Sequence, residues 1–190
     1  GCPSFGAAAD RTVSPAHDLE QIGILLTWHR DHRRPLPWRS HELGVAPPAY
    51  AVLVSETMLQ QTRVETVIPY YLRWMQQWPT LAELARADEA EVLAAWSGLG
   101  YYNRARNLHA AARHVVANHG GQLPESREDL TSLPGVGAYT LGALRSIVFG
   151  HPEPLVDGNV GRVLARWHAL ELPPASAAGR QEIWRLAAQW

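Results

Sequence analysis

Apolar residues recur three and four positions apart along most of this chain, which is the spacing of one face of an α-helix. No stretch alternates between apolar and polar residues for long, as a half-buried β-strand would. We therefore predict an all-α fold of about ten helices joined by short, turn-rich loops. The predicted helices cover residues 18–32, 50–61, 62–78, 80–96 (as two short helices), 104–119, 126–131, a segment that follows Gly137, 159–170, and the chain from 176 onward.

Local signals refine this pattern. Segment 50–61 is apolar on nearly every face, which predicts a buried helix. Residues 1–17 show no periodicity, and we expect a flexible tail there. Three helix starts are predicted where Thr or Asp precedes Glu by three residues. These pairs are Thr62 with Glu65, Thr80 with Glu83, and Asp88 with Glu91.

Composition narrows the class of protein. A hydrophobic fraction of 46% excludes a disordered chain. No apolar run reaches the roughly 18 residues of a membrane-spanning helix, so we expect a soluble, cytoplasmic protein that does not bind membranes. The net charge of −1 does not indicate nucleic-acid binding, so any such contact must come from the local placement of charges.

Two residue types are scarce. All 17 basic residues are Arg, so no Lys side chain is available to form a Schiff base. Cys2 is the single cysteine, which excludes an internal disulfide and any metal or cluster site held by several cysteines of this chain.

The sequence Gly135-Val136-Gly137 predicts a tight turn that opens an apolar helix. Free N–H groups at a helix start, together with the positive end of the helix dipole, can bind an anion such as phosphate. Asp157 follows one helix and one loop later, at the start of another helix. A nucleic-acid backbone held beside a carboxylate is the arrangement that a base-excising enzyme needs.

Glu56 is the unusual residue of the apolar segment 50–61. Its neighbours three and four positions away are mainly apolar, so we expect it to face the interior. Burial raises the pKa of a carboxyl and lets it hold a proton near neutral pH, which suits a general acid. The alternative is a structural Glu paired with one of the many Arg residues.

Asp157 is predicted to lie in the opposite environment, because a helix start favours the ionised carboxylate. A simple N-cap is the alternative. Two carboxyls in contrasting environments divide the roles of acid and charge stabiliser in glycoside cleavage. Tyr139 is either a core residue or a hydrogen-bond partner of one of these carboxyls.

Two polar and aromatic pairs could contact nucleic-acid bases. Gln60 and Gln61, at the end of a helix, could fill a gap in a base stack, or they could be solvated amides. Tyr101 and Tyr102, beside a glycine-rich turn, offer aromatic faces for stacking.

Four segments together resemble the MutY-type adenine DNA glycosylases of the helix-hairpin-helix glycosylase superfamily. The segments are SETMLQQTRVETVIPYY, GLGYYNRARNLHAAA, LPGVGAYTLGA and VDGNVGRVLAR, and they follow one another in the order of that family. The resemblance covers residues 19–190. It implies two lobes with the active site in the cleft between them, namely a six-helix core at about 40–156 with the hairpin at 126–149, and a second lobe from 18–39 and 157–190.

The resemblance also implies a reaction. A monofunctional glycosylase of this type hydrolyses the N-glycosidic bond of adenine mispaired with 8-oxoguanine or guanine in double-stranded DNA, after flipping the adenine into a pocket. This is the first step of base excision repair. We expect a monomer in a bacterial cytoplasm, associated with the nucleoid through DNA.

Residue roles follow from the same resemblance. Glu56 matches the catalytic acid, and Asp157 matches the residue that stabilises the oxocarbenium ion. The remaining matches are Tyr139 and Asn159 as supports of these two, Gln61 and Tyr101 as wedges inserted into the duplex, Gly135 and Gly137 as the phosphate-binding turn, and Arg39 and Leu59 as further pocket or DNA contacts.

Family members usually carry a 4Fe-4S cluster held by four cysteines, and a C-terminal domain that recognises 8-oxoguanine. This sequence stops before both, so we expect a catalytic-domain fragment in which these residues bind no cluster and no metal.

Three other functions remain open. An endonuclease III-like enzyme shares the hairpin, but it uses a Lys at the position of Tyr139. A thymine-mismatch glycosylase is closer in chemistry, although Glu56 favours protonation of adenine. A non-catalytic helix-hairpin-helix module that binds DNA would have no use for a buried acid at Glu56.

Overall fold

The chain is described here from a computed structural model that places residues 15–40, 42 and 44–189, with the backbone alone for 15–19 and 21. Most of the tail predicted for residues 1–17 therefore lies outside the described residues. The described residues form two compact units, which are divided between Arg34 and Pro35. The first contains helix α1, Pro15–His32, which begins three residues before its predicted start. Its apolar side chains at Ile24, Leu25, Leu26 and Trp28 are exposed.

The second unit contains helices joined by loops, and no strand occurs among its described residues. Helix α8 continues without a break into a π-helical turn, Leu144–Val148. The helices are α2 (Ala49–Leu59), α3 (Val64–Gln77), α4 (Leu81–Arg86), α5 (Glu89–Trp96), α6 (Asn103–Asn118), α7 (Arg127–Ser132), α8 (Ala138–Ala143), α9 (Gly158–Trp167) and α10 (Ala177–Ala187). Within the part of the chain that is described, the predicted all-α class is confirmed. No helix there is long and apolar enough to span a membrane.

The three predicted helix starts have different outcomes. Thr80 and Glu83 form a complete capping box at the start of α4, as predicted. Asp88 is the N-cap of α5, but its side chain makes no capping hydrogen bond. The prediction for Thr62 was wrong, because Arg63 is the N-cap of α3. The Thr62 hydroxyl instead donates to the Gln60 carbonyl, a local turn that competes with capping.

Most of the apolar side chains of the second unit form one large core. Trp74 lies at its centre, edge-on to Trp78 and Trp96 at centroid distances of 4.7 and 5.6 Å. The Trp74 indole N–H donates to the Tyr50 hydroxyl at 3.1 Å, and that hydroxyl donates to the Trp78 carbonyl at 2.9 Å. The Trp96 indole N–H donates to the Gly100 carbonyl at 3.0 Å. The indole N–H groups of Trp74 and Trp96 therefore keep hydrogen-bond partners inside the core.

A second, smaller cluster joins α9 to α10 through Leu164, Ala165 and Ile183. It lies in the stretch predicted for the second lobe, whereas Leu36 and Trp38 belong to the large core. The grouping of 18–39 with 157–190 into one lobe stays a prediction.

Candidate active site

Glu56 is the only charged residue of the largely buried helix α2. Eight of its eleven residues are buried, and Glu56 is half-buried among them. One carboxyl oxygen, Oε2, is inaccessible to solvent and has no hydrogen-bond partner. Desolvation raises the pKa of Glu56 above its ordinary value, as expected for a general acid.

Three side chains act on the charge of Glu56. Tyr139 hydrogen-bonds to the carboxylate and Arg39 attracts it, and both lower the pKa. Asp157 repels it and raises the pKa. Desolvation is the largest of these effects, so the pKa of Glu56 is raised on balance. The pKa of the Tyr139 phenol is itself raised by burial and by both carboxyls, so its hydroxyl keeps its proton and donates to Glu56.

Asp157 is the N-cap of α9, as the sequence predicts. Its Oδ1 accepts from the backbone N–H groups of Asn159 and Val160 at 2.9 and 2.7 Å. Its Oδ2 accepts from the Asn159 side-chain amide at 3.0 Å, and the Asn159 carbonyl oxygen accepts from Arg162. Three groups at the start of one helix therefore fix the carboxylate in a single orientation, and Arg162 holds the Asn159 amide in place.

The loop that ends at Asp157 is held against the hairpin. A Cβ added to Gly142 would lie 2.5 Å from the Pro154 carbonyl oxygen, so only glycine permits this approach. The Glu153 carboxylate accepts from Arg145 at 2.8 Å and also from Arg127. Contacts with both hairpin helices thus position the loop, and with it Asp157.

The glycine turn adopts the conformation that its sequence predicts. Gly135 has a φ of +80°, and a Cβ there would lie 2.8 Å from Asn107 Cβ. Gly137 is the N-cap of α8, where no side chain caps the first N–H groups. The backbone at this helix start is therefore open to an approaching anion.

One open cavity of about 550 Å³ brings these groups together. This volume is typical of a small-molecule site and suits a nucleobase with its sugar. The two carboxyls and the Tyr139 hydroxyl lie at the cavity beside the glycine turn. Its wall includes Glu56, Leu59, Gln61, Gly135, Gly137, Tyr139 and Asp157. Arg39 and Asn159 are not part of this wall. Arg39 attracts the Glu56 carboxylate, and the Asn159 amide donates to Asp157.

Tyr101 lies apart from this wall. It lines a second cavity of about 330 Å³ together with Gln61, Tyr102 and Arg104. Gln61, which borders both cavities, and Tyr101 are exposed and have left-handed backbones, with φ of +56° and +50°.

Arg104 is a site residue that the sequence reasoning misses. It is 8% exposed and forms six hydrogen bonds. A signal was present, because position 104 continues the predicted apolar face of α6 formed by Leu108, Ala111 and Val115. A charge on an apolar face indicates a buried ionic or hydrogen-bonding role.

The cluster implied by the family resemblance does not fit the residues present. A 4Fe-4S cluster needs about four cysteine thiolates, and the sequence has one. Among the described residues, no group of three or more His, Cys, Asp or Glu side chains could hold a metal ion.

Comparisons with known proteins indicate the family of this chain. Residues 54–189 match the HhH-GPD superfamily base excision DNA repair protein family. The chain is 52% identical to the adenine DNA glycosylase of Homo sapiens over 171 residues, covering 88% of this chain and 31% of that protein. Its identity to the adenine DNA glycosylase of Mycobacterium tuberculosis H37Rv is 44% over 142 residues, covering 75% and 45%. The chain spans less than half of the length of either relative.

Solved structures are similar over most of the chain. A thermostable thymine-DNA glycosylase superposes with a TM-score of 0.75 at 26% identity, covering 93% of this chain and 80% of that one. Endonuclease III in a non-covalent complex with DNA gives a TM-score of 0.72 at 20% identity, covering 92% and 77%. The second likeness concerns the fold alone.

Proposed function

The chain belongs to the HhH-GPD superfamily of base excision DNA repair proteins, and from that premise we propose that it is a monofunctional adenine DNA glycosylase. The membership confirms the family and the fold expected from the sequence. One observation carries the proposal: Glu56, Tyr139 and Asp157 line a single cavity beside the Gly135–Gly137 turn.

Glu56 is the acid of the proposed reaction. Desolvation lets it keep a proton near neutral pH, and it delivers that proton to N7 of a flipped adenine. The C1′–N9 bond then breaks, and its electron pair leaves with the neutral base. Tyr139 donates to Glu56, stabilising the carboxylate that this transfer produces.

Asp157 stabilises the sugar cation that remains. Its orientation is fixed by the start of α9, so a negative charge is in place before the oxocarbenium ion forms. Water then adds to C1′, the Glu56 carboxylate takes a proton from it, and an abasic site results. No step requires a metal or cluster.

The proposed substrate is double-stranded DNA with adenine opposite 8-oxoguanine or guanine, bound by a monomer. The Gly135–Gly137 turn binds a phosphate, and Gln61 and Tyr101 enter the duplex as wedges, with Leu59 and Arg39 as further contacts. Because its substrate is DNA, we expect the protein to be associated with the DNA of the cell. Any 4Fe-4S cluster of the natural polypeptide would need ligands other than these residues.

Single-turnover adenine release from a duplex with one A:8-oxoguanine pair tests the proposal, using the natural polypeptide with any residues beyond these 190. We expect Glu56→Gln and Asp157→Asn each to lower the rate by about 100- to 10,000-fold with DNA binding retained. Glu91→Gln and Asp88→Asn make the same changes at exposed carboxyls of α5 and its N-cap, and should leave the rate unchanged.

Near-normal rates in both site variants would overturn the mechanism. Thymine release from a T:G pair in place of adenine would favour the mismatch enzyme, and a duplex that is bound but never cleaved would favour the passive DNA-binding module.

A further inference from the structure

We propose that Arg104 is a positioning residue that ties the Gln61 loop to the Tyr101 loop, so that both side chains enter the DNA as one rigid wedge. This inference rests on the proposed function, which assigns Gln61 and Tyr101 to the wedge.

The Arg104 guanidinium bonds to both loops. Its Nη1 donates to carbonyls at the end of α2, those of Thr57, Met58 and Gln60, at 3.1, 2.9 and 2.5 Å. Its Nη2 donates to the Thr62 hydroxyl at 3.2 Å, and to the carbonyls of Leu99 and Gly100 at 3.1 and 3.2 Å. The planar fork therefore spans the gap between segments some 40 positions apart in the sequence.

Two of these acceptors determine the shape of the wedge. The Gln60 carbonyl belongs to the peptide unit that precedes Gln61, and the Gly100 carbonyl belongs to the one that precedes Tyr101. Fixing each peptide unit restricts the φ angle of the next residue. Both of these residues have left-handed backbones, and neither is glycine.

Such backbones need support. A non-glycine residue with a left-handed backbone is strained, and it persists where its surroundings determine it. Gln61 follows the C-cap of α2, a position that glycine usually takes. Arg104 supplies support of this kind by binding the last carbonyls of α2, which have no partner within the helix.

The burial of Arg104 indicates that its positive charge has a specific role. Arg104 is 8% exposed, and its Nε has no hydrogen-bond partner. Filling this space for stability alone does not require a charge, because apolar residues often stabilise a core as well as buried ions do. A guanidinium is needed where two loops must be held at one separation. Its carbon also lies 5.2 Å from the Trp96 ring centre and 5.6 Å from that of Tyr101, which adds cation–π attraction.

The test measures wedge insertion separately from base release. A duplex carries 2-aminopurine beside the mispair, and its fluorescence rise on binding reports unstacking. All proteins carry Glu56→Gln in this assay, so no base is released. We expect Arg104→Lys, whose single ammonium cannot span both loops, to bind the duplex and lose most of the rise, and we expect the same of Tyr101→Ala.

A double-mutant cycle separates positioning from general damage. Adding Arg104→Lys to a Gln61→Ala, Tyr101→Ala background should reduce the remaining signal by less than twofold, because the change acts through those two side chains. With Glu56 restored, Arg104→Lys should lower adenine release from duplex DNA by about 10- to 100-fold, yet leave single-stranded DNA little affected, since no base must be flipped there.

Val115→Ala is the control, since it removes buried methyl groups from the same helix α6. It should lower the melting temperature and keep the full fluorescence rise. If Arg104→Lys does not fold, Thr62→Val removes one acceptor and should give an intermediate loss.

A full rise with Arg104→Lys, or equal loss on duplex and single-stranded DNA, would overturn the inference. If the Glu56→Gln protein with Arg104, Gln61 and Tyr101 intact unstacks no duplex, the wedge assignment and this inference both fail. Unstacking without adenine release by the active protein would instead refute the proposed function alone.

Discussion

The surroundings of Glu56 disfavour the ionised form of its carboxyl. Its Oε2 is buried without a partner, and desolvation outweighs the hydrogen bond from Tyr139 and the attraction of Arg39. Because the pKa of the acid is raised, the protonated fraction persists to a higher pH than for an ordinary carboxyl. It falls only as the pH passes through the raised value.

The proposed reaction should therefore depend on pH in one direction. We expect the single-turnover rate of adenine release to be constant at low pH and to fall as the pH rises through the pKa of Glu56. The measurement is a rate profile from about pH 5 to pH 9. A rate that increases with pH would mean that Glu56 acts first as a base.

The same carboxyl should cost stability at high pH. Its pKa is higher in the folded protein than in the unfolded chain, so the folded state binds more protons between the two values. The free energy of unfolding must then fall as the pH rises through this interval. We expect Glu56→Gln to raise the melting temperature at about pH 8, and the gain to shrink toward pH 4. A lower melting temperature at pH 8 would favour a structural ion pair with Arg39.

At the scale of single residues, the sequence predicted those features of the site that depend only on a residue's position along a helix. A carboxyl within the apolar helix α2 and a carboxyl at the start of α9 follow from spacing alone. The hydrogen-bond partners of Thr62 and Arg104 do not. The hydroxyl of Thr62 has a tertiary partner in Arg104, and a residue 42 positions away is invisible to a capping rule.

At the scale of elements, the position of Asp157 depends on how closely its loop approaches α8. Gly142 lies against the backbone of Pro154 and Leu155, where a Cβ would approach the Pro154 carbonyl oxygen to 2.5 Å. Backbone atoms cannot move aside as a flexible side chain would. A methyl group here must displace the loop.

Gly142→Ala should therefore slow the reaction more than it weakens DNA binding. We expect the rate of adenine release to fall on the order of 10- to 100-fold, as for a misplacement of about 1 Å, and the free energy of unfolding to fall by about 1–3 kcal/mol. Gly161→Ala is the matched control in α9, because its Cβ would lie 3.8 Å from the nearest atom. It should keep the rate and gain up to about 1 kcal/mol of stability. Equal behaviour of the two variants would refute this role of Gly142.

Helix identity was predictable, whereas helix ends and irregular turns were less so. Apolar spacing predicted the buried face of α6, and Ser126 and Ser176 cap α7 and α10 near the predicted starts. The π-helical turn Leu144–Val148 was not predicted, because one wider turn leaves the apolar pattern nearly unchanged. The left-handed backbones of Gln61 and Tyr101 were hidden for another reason: tertiary contacts impose them on residues that do not favour them.

At the scale of the whole molecule, composition constrains the chemistry more than the charge does. A net charge of −1 gives no general attraction to DNA, so binding must depend on local groups such as the Gly135–Gly137 turn. The absence of Lys is more informative. A DNA strand-cleaving lyase of the Schiff-base type needs an amine that can attack C1′, and these residues supply no side-chain amine.

Borohydride trapping tests this consequence. The wild-type chain should release adenine and leave the strand intact until alkali is added, with no covalent adduct on reduction. Tyr139→Lys places an amine in the cavity beside Glu56 and Asp157. That amine can condense with the abasic aldehyde, lose water, and form an imine that borohydride reduces to a stable amine. We expect a trapped complex from this variant and none from Tyr139→Phe, which removes the same hydroxyl without adding an amine. Trapping by the wild-type chain at the level of Tyr139→Lys would show that a different amine reaches C1′, and the reaction would then not be monofunctional.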